Sequence, residues 1–221
     1  MEISQIVFDK NISCLRVINP TLAEKIKHYL PNKIDFKIVE GRTKTISISG
    51  FQISSRHDPV KEAVVQASAM PAHELIYLYG LGLGYLPEEV LKRKSIKVLN
   101  IKIMNLAIFS LILFLRDQRV WLNDRRVSLS LACQDIDAKA PYFAFPPELN
   151  LADDQTLRIR NILETDISYK FTKNQFRPND QSLNNRIKDN YELLKKDKDV
   201  DALKGQAKGK EAVVVGAGPS L

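Results

Sequence analysis

The chain has 221 residues, 44% hydrophobic and 27% charged, with a formal net charge of +7. That composition is ordinary for a globular protein and excludes low-complexity, collagen-like and disulfide-stapled classes. Lys and Arg are scattered among acids apart from Lys204, Lys208 and Lys210, with no interleaving of basic and aromatic residues, so nucleic acid is not an expected partner.

Cys14 and Cys133 each sit in an apolar stretch, which suits buried thiols in a reducing cytoplasm rather than a disulfide or a metal site. The first residues lack the basic-then-apolar order of a signal peptide. The apolar run from Ile101 to Leu115 is too short to span a membrane and is interrupted by Lys102 and Asn105, so it reads as a buried strand and helix.

Apolar residues at helical spacing run from Ile3 to Val17. Asn19-Pro20, a capping residue followed by Pro at the first helical position, opens a second helix expected to reach Leu30. Residues 35–39 and 43–49 alternate as half-buried strands, and Asp58-Pro59 starts a third helix with Val60, Ala63, Val64 and Ala67 on one face. Together they read as a small α+β cap over residues 1–70.

The period then changes. Leu75 to Tyr79 is a continuous apolar strand followed by Gly80-Leu81-Gly82-Leu83-Gly84 and a helix over 87–92. A strand over 95–101, a helix over 105–116, and strands at Arg119–Leu122 and Val127–Leu131 follow. This alternation predicts an α/β fold with a Rossmann-like parallel sheet over 71–150. Prolines mark 141–147 as a loop. Helices over 153–167 and 182–196 form a C-terminal helical linker over 151–210. The run Val213-Val214-Val215 then enters Gly216-Ala217-Gly218-Pro219-Ser220-Leu221, a buried strand and phosphate-type turn assigned to a further domain over 211–221. Because the helix such a turn introduces is missing, the chain reads as the front of a longer protein.

Two glycine turns carry the candidate chemistry. Gly80, Gly82 and Gly84 stand between a strand and a helix, where backbone N–H groups can meet a phosphate or adenosyl group, or where glycine allows close strand-helix packing. The strand that follows ends at Asn100, with no carboxylate to accept ribose hydroxyls. In the second turn Gly216 and Gly218 let backbone approach a ligand, Pro219 presets the helical φ, and Ser220 adds a hydroxyl. His28, His57 and His73 are isolated along the chain, and no Gly-x-Ser-x-Gly, His-Glu-x-x-His or Cys-x-x-Cys occurs, so nucleophile elbows and metal sites are not expected. Trp121, Tyr77 and Tyr79 are assigned to the core.

Several segments together resemble the motility accessory factor family, the flagellin glycosyltransferases of bacteria whose flagella carry nonulosonic acids. They are Phe8-Asp9-Lys10-Asn11, Asn19-Pro20-Thr21-Leu22, His57 to Ala63, Tyr79 to Tyr85, Asn123 to Val127, and Leu203-Lys204-Gly205 running on to Val215–Leu221. The resemblance implies a Rossmann-like domain before a catalytic domain that takes a CMP-activated pseudaminic- or legionaminic-type sugar and transfers it to Ser or Thr of flagellin. Gly216, Gly218, Pro219 and Ser220 would belong to that nucleotide-sugar site, and the catalytic acid or base would lie beyond Leu221. Where the family pattern has a carboxylate followed by Pro, this chain has Asn100-Ile101. Other readings remain open: a non-catalytic module gripping flagellin or its chaperone, an S-adenosylmethionine- or dinucleotide-dependent enzyme using Gly80 to Gly84, and a pterin pyrophosphokinase-like protein.

Overall fold

The computed structural model describes residues 2–29, 31, 34–175, 181–196 and 208–209. The chain forms two compact units, residues 1–168 and 169–221.

The first unit begins with α1 (Gln5–Ile18), whose cap Ser4 accepts from Val7 N through its hydroxyl. Phe8, Asn11, Ile12 and Leu15, at three- and four-residue steps, form its buried face. α2 (Pro20–Ile26) starts as expected: Asn19 Oδ1 accepts from Leu22 N at 2.9 Å. The same amide donates 3.0 Å to the Leu129 carbonyl, so the cap also ties this helix to a distant strand. The helix ends at Ile26, short of Leu30, because its last turn tightens through bonds from His28 N to Lys25 O and Tyr29 N to Ile26 O.

Strands β1 (Phe36–Val39), β2 (Thr45–Ile48) and β3 (Phe51–Gln52) make a small antiparallel sheet with Ile38 opposite Ile46. α3 (Pro59–Ala69) is capped by Asp58, which accepts 2.8 Å from Lys61 N. Its buried face differs from the expected one. Pro59, Ala63 and Ala67 turn inward, while Val60 and Val64 are 46% and 43% exposed, since the small residues let this helix approach its neighbour closely.

The main sheet holds β4 (Leu75–Tyr79), β5 (Val98–Ile103), β6 (Val127–Leu131) and β7 (Tyr142–Ala144) in the order β6-β5-β4-β7, all parallel. α4 (Tyr85–Leu91) and α5 (Leu106–Leu115) connect the first three strands. This is the α/β Rossmann-like architecture. Three local expectations need correction. Arg119–Leu122 is a helical turn, α6, rather than a strand, because Leu122 N and Asn123 N bond back to Gln118 O and Arg119 O and Trp121 Nε1 to Gln118 Oε1. β5 extends to Ile103, which leaves Asn100 in mid-strand opposite Tyr77 and Ser128. The proline-flanked segment contains β7, whose pairing with β4 the prolines on either side disguise.

One continuous core runs from Phe8 to Phe145, with Trp121, Phe109 and Leu113 fully enclosed. A second cluster gathers Tyr79, Met104, Leu149, Ile159 and Leu163 between α7 (Pro146–Asn150), the sheet and α8 (Leu157–Gln175). Nine residues of α5 are buried, and among the described residues no helix is long and apolar enough to cross a membrane. In the second unit the helix expected over 182–196 is divided into α9 (Gln181–Asp189) and α10 (Tyr191–Leu194). The assigned strand and turn at 211–221 lie outside the described residues.

Asn11 is the polar rivet of the first unit. Fully buried, it donates 2.8 Å to the carbonyls of Leu113 and Arg116 and accepts 2.8 Å from Gln118 N, holding α1 against the exit of α5. Asn11→Ala strands three backbone groups, and at about 1 to 3 kcal/mol for each stranded group chemical denaturation is expected to show a loss of about 3 kcal/mol or more. Asn11→Asp, whose second oxygen would face the Leu113 and Arg116 carbonyls instead of donating to them, should lose at least as much at neutral pH.

Candidate functional site

In a doubly wound sheet the ligand crevice opens at the carboxyl ends of the strands where the strand order reverses. Here the reversal lies between β4 and β7. The glycine turn leaves β4 at that point, with Gly80, Gly82 and Gly84 at φ of +82°, +60° and +87°, a region open to glycine at no steric cost. The first glycine turn therefore stands where a ligand is normally held in such a sheet.

The turn is already engaged by the chain itself. Glu148, from α7, sends Oε1 to within 2.7 Å of both Leu81 N and Gly82 N, and its side chain is fully buried. A Cβ on Gly80 would stand 2.9 Å from Glu148 Cδ, and one on Gly82 would stand 3.0 Å from the Phe145 ring. Phe145 N donates 2.7 Å to Tyr79 O, which carries the β4–β7 pairing directly into α7. Burial raises the Glu148 carboxyl to about 7, with the two N–H bonds pulling the other way.

The underside of the turn is equally closed. Leu83 O accepts 3.1 Å from Gln118 Nε2 and 3.3 Å from Arg116, whose guanidinium also grips Glu88 at 2.7 Å and lies 4.0 Å over the Tyr85 ring. At the end of β5, where a ribose-binding carboxylate would stand, Asn105 spends Oδ1 on capping α5 and Nδ2 on the Leu151 carbonyl. Met104 O is covered by Asp153 N and by the Thr156 hydroxyl at 2.6 Å. The remaining space beside the turn, lined by Ile53, Leu81, Gly82 and Phe145 among others, is about 10 Å³, room for about one water.

A second polar group lies on the sheet face toward β5 and β6. Lys102 Nζ pairs with Asp135 Oδ2 at 2.6 Å and donates 2.9 Å to Ser130 Oγ. Tyr79 OH accepts 2.7 Å from Lys139 N, and burial raises its pKa. Tyr142 OH bonds to Asp166, and burial, with that bond, also raises its pKa.

Of the residues named from sequence, Gly80, Gly82 and Gly84 fall together at the switch point; Gly216, Gly218, Pro219 and Ser220 lie outside the described residues. Tyr79 and Trp121 are fully buried and Tyr77 is half-buried. The cysteines are free and half-buried, His28, His57 and His73 are exposed, and among the described residues no group of three metal-ligating side chains forms. Glu148 is the residue that sequence reasoning missed. Its signal is a lone carboxylate inside the otherwise apolar run from Tyr142 to Leu149.

No protein-family profile and no curated protein matches the chain. Solved structures resemble parts of it. A spermidine synthase in complex with the transition-state analogue AdoDATO is 18% identical over 44% of this chain and 36% of its own, with a TM-score of 0.37. Spermidine synthase from Thermotoga maritima is 19% identical over 44% and 37%, with a TM-score of 0.36. The Maf glycosyltransferase from Magnetospirillum magneticum AMB-1 is 13% identical over 58% and 28%, with a TM-score of 0.45. The chain thus spans about a third of the length of the solved structures it matches.

Proposed function

We propose that this chain contributes the Rossmann-like front of a motility accessory factor-type glycosyltransferase, and that its parallel sheet is a non-catalytic scaffold. In this reading CMP-activated nonulosonic acid is taken by Gly216, Gly218, Pro219 and Ser220, and the acceptor is a Ser or Thr hydroxyl of flagellin. The observation that carries the division of labour is Glu148 seated on Leu81 N and Gly82 N. Those donors are what a phosphate or an adenosyl group would need at the first glycine turn, and the chain's own carboxylate holds them. The motif segments from Phe8 to Leu221 support the family reading.

The chemistry follows from the donor. CMP leaves readily, so the demand is to stabilise an oxocarbenium-like centre and the departing phosphate while a base assists the hydroxyl. Backbone N–H groups around Gly216 and Gly218 answer the phosphate part, and the base belongs to another segment.

Two measurements test this. Calorimetry of the 221-residue chain with millimolar S-adenosylmethionine or NAD is expected to give no binding heat; saturable heat that Gly82→Ala abolishes would reopen the first turn as a cofactor site. In the source bacterium, deleting the gene is expected to lower flagellin mass by whole nonulosonic acid residues and to abolish motility. Unchanged flagellin mass overturns the family reading.

A further inference from the structure

The geometry points to a carboxylate-binding site at the glycine turn after β4, with the chain's own Glu148 as its resident ligand and α7 as the latch that delivers it. Two successive N–H groups converge on one oxygen at 2.7 Å each, a backbone concavity of the kind that holds anions elsewhere. This concavity takes a planar carboxyl group rather than a phosphate. Its walls are tight: a Cβ added at Gly82 would stand 3.0 Å from the Phe145 ring, and the neighbouring cavity is about 10 Å³. A tetrahedral phosphate also brings charge that needs a cation, and Arg116 is committed to Glu88 and to the Leu83 carbonyl.

The consequence is competition. An external carboxyl group and α7 contend for the same two donors, so the turn can be occupied from outside only when Glu148 is withdrawn. Burial favours the uncharged carboxyl here, which still accepts both N–H groups through its carbonyl oxygen. The assignment stands on the turn's own geometry, and its readout is stability, separate from the nucleotide and flagellin measurements above.

The test uses the 221-residue chain as Glu148→Ala and Glu148→Gln. Removing the carboxyl empties a space the size of a small carboxylate and leaves two buried N–H groups unpaired, so Glu148→Ala is expected to melt about 8 °C lower than the unmodified chain. Sodium acetate or formate should then restore at least half of that loss along a saturable curve, while chloride and phosphate at equal ionic strength do not. The unmodified chain and Glu148→Gln, whose side-chain oxygen keeps both bonds, should be indifferent to acetate. Equal shifts in all three proteins, rescue by phosphate rather than acetate, or an unchanged melting point for Glu148→Ala each overturn the assignment. If Glu148→Ala does not fold unaided, refolding in acetate against chloride, followed by the single tryptophan, Trp121, decides the matter: recovery in acetate alone supports it, and equal failure overturns it.

Discussion

Replacing Glu148 by glutamine is expected to stabilise the protein at pH 8 by about 3 kcal/mol and at pH 5 by less than about 1 kcal/mol. The folded carboxyl titrates at about 7 because it is buried, against an ordinary value of 4.5. A group whose folded pKa is raised contributes stability that is whole below the unfolded value and is lost as pH rises through the folded one. For Glu148 that window runs from about 4.5 to about 7, and the rise corresponds to about 3 kcal/mol of proton-linked stability. Glutamine cannot ionise, preserves an oxygen for Leu81 N and Gly82 N, and replaces the acid O–H with an N–H donor. Urea denaturation of both proteins at half-unit steps from pH 5 to pH 8 reads the effect. Curves that stay parallel throughout would show that Glu148 does not change its ionisation with the fold.

Gly84→Ala is expected to cost about 3 kcal/mol, from about 1 kcal/mol of left-handed backbone penalty and about 2 kcal/mol of overpacking. Gly84 caps α4 at φ +87°, and a Cβ there would lie 1.9 Å from Gln118 Oε1. The glutamine is not free to swing aside. It is fully buried, accepts 2.6 Å from Trp121 Nε1, donates 3.1 Å to Leu83 O, and is held at its backbone N by Asn11. Gly50 provides the control. Its φ is +86° with nothing within 4 Å of the added Cβ, so Gly50→Ala isolates the backbone penalty and should cost about 1 kcal/mol. Equal losses at the two positions would remove Gln118 from the account.

The elements most plainly written in the chain are those whose signals are local. Asn19-Pro20 and Asp58-Pro59 each name a cap and a first helical residue within two positions, and both caps form. Leu75–Tyr79 and Val127–Leu131 are strands with those bounds: the first is an apolar run stopped by Gly80, and the second alternates Val127, Leu129 and Leu131 with Ser128 and Ser130. Asn105 heads the apolar helix that follows it by accepting from Ala107 N and Ile108 N.

The misreadings share a cause: the deciding contact is a side-chain, packing or ladder contact that apolar patterning does not encode. Val120-Trp121-Leu122 has strand-forming residues, but Gln118 captures the indole and the chain turns helical. Val60 and Val64 are more apolar than Ala63 and Ala67, yet the alanines face inward because tight helix contact rewards small volume there. β7 is three residues between prolines and exists because Tyr77 to Tyr79 offer it a ladder.

The amino-acid sequence by itself determined the alternation of strands and helices, the caps, and a glycine turn able to present backbone N–H groups at the end of β4. Only the tertiary structure decided what those N–H groups bind. Glu148 lies 66 residues from Gly82, and a carboxylate that far away reaches the turn only after β7 has paired with β4 and carried α7 across the switch point.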